Sequence, residues 1–135
     1  MSASLAVADT HALIWYAQGR VNRLGSAARR FFERCDAGQA VVYLPMLVLV
    51  ELSEAVRTGR VSLDRPFITW VTQLLATGRF FAVDLSWEIL RHAEELYAIP
   101  ERGDRLIAAT AVHMRLPLVT RDPEIGDAAG VNVIW

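Results

Sequence analysis

The chain has 135 residues, a net charge of −1, and 53% hydrophobic against 21% charged residues. That balance excludes a disordered chain and a uniformly basic nucleic-acid coat, and the length argues for a single domain. Its one cysteine, Cys35, excludes an intrachain disulfide framework and a Cys-based zinc or iron–sulfur centre, and all 14 cationic residues are arginines. Without lysine there is neither a P-loop nor Schiff-base chemistry, whereas arginine suits bidentate phosphate contacts.

Strand and helix patterns alternate from end to end, which predicts an α/β domain with a mainly parallel sheet of about five strands between helices. Leu5 to Ala8 is a short apolar run, read as a buried first strand. Asp9-Thr10 can cap a helix from His11 to Ala17. Gly25-Ser26 opens a second helix with Ala28, Phe31, Phe32 and Cys35 at helical spacing, ending at Gly38. Val41 to Leu44 is the second strand. Leu47, Val50, Leu52 and Val56 mark a helix that stops at Gly59. Asp64 to about Ala76 is predicted as another, its stripe of Phe67, Trp70, Val71 and Leu74 being either core or a partner groove. Phe80 to Val83 is the third strand, and Ser86 caps the helix after it. Asp104 to Met114 is a strongly apolar helix. Leu118 to Thr120 and Val131 to Ile134 complete the sheet. The apolar run from Ala40 to Val50 is too short for a bilayer, which takes about 20 residues. The N-terminus lacks a basic segment before its apolar stretch, so a soluble, cytoplasmic protein without a secretory signal is expected.

Four carboxylates occupy telling places. Asp9 follows the first strand and Asp122 the fourth, so in a parallel sheet both belong to the edge where ligands collect. Asp104 opens an apolar helix, and Glu51 interrupts a hydrophobic stretch. Two unit charges about 4 Å apart repel by roughly 4 kcal/mol at an effective dielectric near 20, so such a cluster must protonate, stay apart or bind a cation. Oxygen-only ligands select Mg²⁺ or Mn²⁺, and an ion so held activates water against a phosphodiester. Arg102, Arg105 and Arg121 lie close in sequence and could meet phosphate. Without the four acids the net charge of −1 becomes +3. Each acid also has a plainer reading: Asp9 and Asp104 as helix caps, Asp122 as the start of a turn with Pro123, and Glu51 as part of a polar face with Glu54 and Arg57.

Four segments in order now acquire a likeness: Val7-Ala8-Asp9-Thr10-His11-Ala12-Leu13-Ile14-Trp15, Val48-Leu49-Val50-Glu51-Leu52, Asp104-Arg105-Leu106-Ile107-Ala108-Ala109-Thr110-Ala111, and Leu118-Val119-Thr120-Arg121-Asp122. With them the chain, from about Leu5 to Ile134, resembles a PIN-domain ribonuclease, most closely the VapC-type toxins of toxin–antitoxin pairs. The resemblance implies a PIN-like three-layer fold and Mg²⁺ or Mn²⁺ held by Asp9, Glu51, Asp104 and Asp122, with the Thr120 hydroxyl supporting the site. It further implies RNA cleavage, a homodimer and silencing by a cognate antitoxin. Arg102-Gly103 departs from the usual form of its segment, and Asp127 is read as a loop charge.

Two other readings compete. One is a non-catalytic PIN-like scaffold that binds RNA or protein. The other, an aspartyl-phosphate phosphatase with Asp9 as nucleophile, lacks both its second acid, where His11 stands, and its lysine. His11 reads as a packing or hydrogen-bonding residue at a helix start. Trp15, Tyr16, Trp70 and Trp87 read as core or interface residues before they read as base-stacking platforms.

Overall fold

A computed structural model describes residues 3–135. Among them five strands form one sheet: β1 (Leu5–Ala8), β2 (Val41–Pro45), β3 (Phe80–Val83), β4 (Leu118–Val119) and β5 (Val133–Ile134). All neighbours are parallel, in the order β3-β2-β1-β4-β5. Seven α-helices accompany them among the described residues: α1 (Thr10–Ala17), α2 (Ser26–Asp36), α3 (Met46–Arg57), α4 (Phe67–Ala76), α5 (Trp87–Glu95), α6 (Arg102–Met114) and α7 (Pro123–Ala129). No helix among the described residues is long and apolar enough to cross a membrane.

The sheet is built as the apolar runs dictate. Successive side chains of a strand point to opposite faces. Ala6, Val7 and Ala8 are nevertheless all fully buried, so β1 is covered on both sides, as parallel strands require. Ala28, Phe31, Phe32 and Cys35 turn inward from α2. Burial pushes the Cys35 thiol up to about 12, which leaves it a packed, unreactive group. Leu74 is buried, and Phe67, Trp70 and Val71 are half-buried against the same core. The α4 stripe is therefore core. Trp15 and Tyr16 pack among aromatic neighbours, but Trp87, expected to be packed, is 68% exposed.

The strand order fixes where a site can form. From β1 the chain moves out to β2 and β3, then returns to the other side of β1 for β4 and β5. The crevice at the C-terminal ends of β1 and β4 is thus the switch point of the sheet, where ligands of open α/β folds bind.

Three element boundaries differ from expectation. Helix α4 begins at Phe67, not Asp64, because Asp64 is engaged by Arg65 through two hydrogen bonds of 2.8 Å and Pro66 takes the cap position. Helix α6 begins at Arg102, two residues before Asp104. Helix α7 replaces the predicted turn at Asp122-Pro123, so Asp127 is a helical residue and not a loop charge.

Candidate active site

Asp9 continues the β1–β4 ladder by one bond, its N–H donating to the Val119 carbonyl at 3.0 Å. It then caps α1: its Oδ1 accepts the Ala12 N–H at 2.9 Å. Since Ala8 pairs with Val119, the next step of the register sets Asp9 beside Thr120. The Thr120 side chain is 1% exposed, and its Oγ1 accepts the Asp122 N–H at 3.2 Å. Burial raises the pKa of Asp9 above its ordinary 3.8, against the opposing pull of Thr120, the Ala12 N–H, His11 and Arg121.

Glu51 lies on α3 between exposed Val50 and buried Leu52. Its Oε1 accepts a hydrogen bond from the Thr10 hydroxyl. Glu54 and Arg57 pair with each other at 3.8 Å, so Glu51 stands apart from the polar face it could have joined. Asp104 is the third residue of α6 and does not cap it. The cap is Glu101, whose Oε2 accepts the Asp104 N–H at 2.7 Å. The N–H groups of Gly103 and Asp104 hold the Glu101 carboxyl below the usual range. The Asp104 carboxyl moves the other way. Burial raises its pKa first, followed by the negative charges of Glu101, Asp9, Glu51 and Asp122. Asp104 therefore senses the other three predicted acids, together with a fifth that sequence reasoning misses.

Gly103 makes this crowding possible. A Cβ there would stand 2.9 Å from Glu101 Oε2 and 3.1 Å from Glu51 Oε2. Asp9, Glu51, Glu101 and Asp104 line one open cleft of about 570 Å³. Asp122 does not line it. Exposed at the mouth of α7, it caps that helix through the Glu124 N–H at 3.0 Å and joins the cleft through Thr120.

The arginines divide. Arg121 lies over the Trp15 ring, its Cζ 5.2 Å from the centroid, and its charge reaches Asp9. Arg105 donates from Nη1 to the Ile99 and Pro100 carbonyls at 2.9 and 2.8 Å, pinning the loop that enters α6. Arg102 is exposed on the first turn of α6. Arg20 and Arg60, which the sequence pattern does not single out, line the cleft, as does His11.

Among the described residues, none of Asp9, Glu51, Glu101, Asp104 and Asp122 forms an ion pair; the pairs present are Arg29–Glu33, Arg57–Glu54 and Arg65–Asp64. Nor do any three His, Cys, Asp or Glu side chains among them stand as a ready-made metal cage. The donor chemistry nonetheless fits a hard divalent cation, because the ligands on offer are carboxylate oxygens and none of them is held in an ion pair among the described residues.

A PIN domain family model matches residues 6–131. The chain belongs to the PIN domain family. Among solved structures, the PIN fold of this chain is similar to VapBC2 from Rickettsia felis bound to a DNA fragment from its promoter, with a TM-score of 0.69 at 16% identity over 96% of both chains. It is similar to FitAcB from Neisseria gonorrhoeae, with a TM-score of 0.64 at 18% identity over 97% of this chain and 96% of that one. A toxin–antitoxin complex from Klebsiella pneumoniae matches with a TM-score of 0.64 at 22% identity over 96% of each chain. A comparison with curated proteins finds no match. At these identities the neighbours establish the fold; the case for the site rests on this chain's own residues.

Proposed function

We propose that this PIN domain is an Mg²⁺- or Mn²⁺-dependent endoribonuclease, hydrolysing RNA phosphodiester bonds, and the toxin of a toxin–antitoxin pair. The observation that carries the reading is the cleft at the β1–β4 switch point, where acids that form no ion pair among the described residues crowd together. Family membership supports nuclease chemistry, and the toxin–antitoxin neighbours support the biological role. A cognate antitoxin, a homodimer and a cytoplasmic location belong to the same proposal.

Asp9, Glu51 and Asp104 would hold the cation from within the cleft, and Asp122 from its mouth. A bound divalent ion polarises the phosphoryl oxygen and lowers the pKa of a water. The chain's own residues do the rest. Thr120 stands beside Asp9 and holds the turn that carries Asp122. Thr10 orients Glu51 by its hydroxyl. Glu101 sets the N-terminus of α6 and so the position of Asp104. Arg121, braced on Trp15, supplies positive charge beside the acids, where a phosphate would enter.

The test is cleavage of single-stranded RNA with Mg²⁺ or Mn²⁺ by the wild type and by Asp9→Asn, which keeps a capping side chain for α1. Cleavage by the wild type that chelation abolishes and the variant lacks supports the proposal. Equal activity in both, or indifference to chelation, overturns it. The lack of a ready-made three-ligand cage among the described residues favours a second reading, a non-catalytic scaffold. Such a scaffold shows no carboxylate-dependent Mn²⁺ binding in calorimetry.

A further inference from the structure

The cleft is bipolar. Helices α1 and α3 follow the parallel strands β1 and β2 and pack side by side. Each carries an acid toward the sheet edge, Asp9 and Glu51, and each ends in the same device. After α1 comes Gly19 at φ +67, and after α3 comes Gly59 at φ +79, left-handed positions that glycine occupies without strain. An arginine follows both times. The Arg20 N–H donates to the Trp15 carbonyl at 2.8 Å and the Arg60 N–H to the Ala55 carbonyl at 2.9 Å, so each backbone is tied to its helix. Both side chains are exposed and line the cleft. Among the described residues neither forms an ion pair; the one side-chain bond is from Arg60 Nε to the Thr58 hydroxyl, at 3.3 Å. The eight residues of α1 separate the two ends by about 12 Å of helix. Apolar Ile14, Ala55 and Val61 line the same cleft.

We infer that Arg20 and Arg60 form a substrate-positioning subsite for the sugar–phosphate backbone of a single-stranded RNA, gripping phosphate beyond the bond that is cut. The inference rests on the nuclease reading above and deepens it: the acidic end takes the cation and the reacting phosphodiester, and the basic end takes a neighbouring phosphate of the same strand. The two groups cannot satisfy one phosphate together, since a helix length divides them. A short chain, not a single diester, is therefore the substrate that fills the cleft. Two guanidinium groups without carboxylate partners, in a cleft that Ile14, Trp15 and Val61 also line, suit a polyanion with exposed bases.

The experiment is fluorescence anisotropy of a labelled, mixed-sequence single-stranded RNA oligonucleotide with Ca²⁺ in place of the activating ion. It compares wild type, Arg20→Ala, Arg60→Ala and the double variant across a salt series. A second arm measures kcat/KM for RNA against that for the small diester bis(p-nitrophenyl) phosphate, with Mn²⁺. Removing one exposed arginine–phosphate pair weakens binding about fivefold. The log–log salt slope falls by about 0.7 for each phosphate of a single strand that the protein no longer neutralises. The RNA-to-diester ratio of kcat/KM falls with it, a change that a merely structural role would not produce. Arg→Lys variants restore part of the binding.

Wild-type binding with variants that bind as well, at an unchanged slope, overturns this inference and leaves the nuclease reading standing. A wild type that cleaves neither RNA nor diester and binds no RNA overturns both. A wild type that ignores RNA but binds a polyglutamate peptide through these arginines gives the face to an acidic protein partner, and overturns the inference as well.

Discussion

Two aspartates of this chain illustrate opposite fates of a carboxylate. On the loop before α4, Asp64 is exposed and held below its ordinary pKa, chiefly by hydrogen bonds from the Arg65 guanidinium. In the cleft, Asp104 is half-buried and pushed above its ordinary pKa, with four other acids adding to the effect of burial and no arginine paired to it. Evolution of a stable surface favours the first arrangement, although exposed pairs contribute only about 0–1 kcal/mol. The second carries a cost that folding alone does not explain, and the proposed cation accounts for it. The sequence places an arginine within one or two residues of Asp104 and Asp122 as well, but Arg105 is engaged by the Ile99 and Pro100 carbonyls, and Arg121 lies over Trp15, where its charge reaches Asp9 without forming an ion pair.

Breaking the cleft side of that contrast gives the largest expected effect. Asp104→Asn or Asp9→Asn should lower RNA cleavage by more than about a hundredfold, beyond the 10–100-fold typical of residues that only support metal ligands. The same substitutions leave the fold in place, as circular dichroism would show. Asp64→Asn, the control from the other region, should leave cleavage within experimental error of wild type. Thr120→Val comes next. It removes the hydroxyl that accepts the Asp122 N–H beside Asp9 while keeping the shape, and should cost cleavage about 10–100-fold through the placement of the two acids. Unchanged cleavage would remove Thr120 from the site.

Gly103→Ala sharpens the comparison further. The new methyl meets Oε2 of Glu51 and Oε2 of Glu101, and the latter is the atom that caps α6 by accepting the Asp104 N–H, so Glu101 can swing aside only by giving up that cap. Alanine's helix preference of about 1 kcal/mol over glycine is offset by the weakened cap, which is worth about 0.5–2 kcal/mol, so thermal stability should stay within about 1 kcal/mol of wild type while Mn²⁺ affinity falls. A loss of stability with affinity intact would show that the close approach of the two acids serves packing instead.

The smallest effect is on pH. Asp9 and Asp104 have folded pKa values raised above their unfolded ones. A raised pKa contributes stability that is fully present below the unfolded value and lost as pH rises through the folded one. In chelator, the melting temperature should therefore gain from these two groups as pH falls from above their raised folded values toward 3.8, against the general loss on acidification. The Asp9→Asn/Asp104→Asn double variant should lack that component. Saturating Mn²⁺ should reverse the sign, because the ion binds the charged form; at a hundredfold excess over Kd, binding contributes about 2.7 kcal/mol.

Much of this molecule is legible in its sequence, and the misses have local causes. The five strands stand out because short apolar runs follow glycine or precede acids, and β1 to β3 match within a residue. β4 and β5 are shorter than predicted: two residues each form bridges, while Thr120 at the end of one and Val131 at the start of the other lie outside the pairing. The start of α6 is hard to place because a glutamate is an uncommon cap. Glu101 stands three residues before Asp104, and nothing in the pattern distinguishes it from an exposed loop charge. Its role becomes visible only when the helix N-terminus is built. The α7 signal is present in the chain as Asp122 before Pro123, a cap followed by proline at the first helical position, with Gly130 at φ +69 closing the end. Reading it as a turn costs Asp127 its helix. Arg20 and Arg60 are hidden for a different reason. They are far apart in the sequence and line one cleft only because α1 and α3 are neighbours.

Calorimetric titration of Mn²⁺ into the metal-free wild type, and into Asp104→Asn, tests the cation most directly. Saturable binding in the wild type, weakened at least about tenfold in the variant, is the outcome this account requires. Identical heats from the two proteins would contradict it.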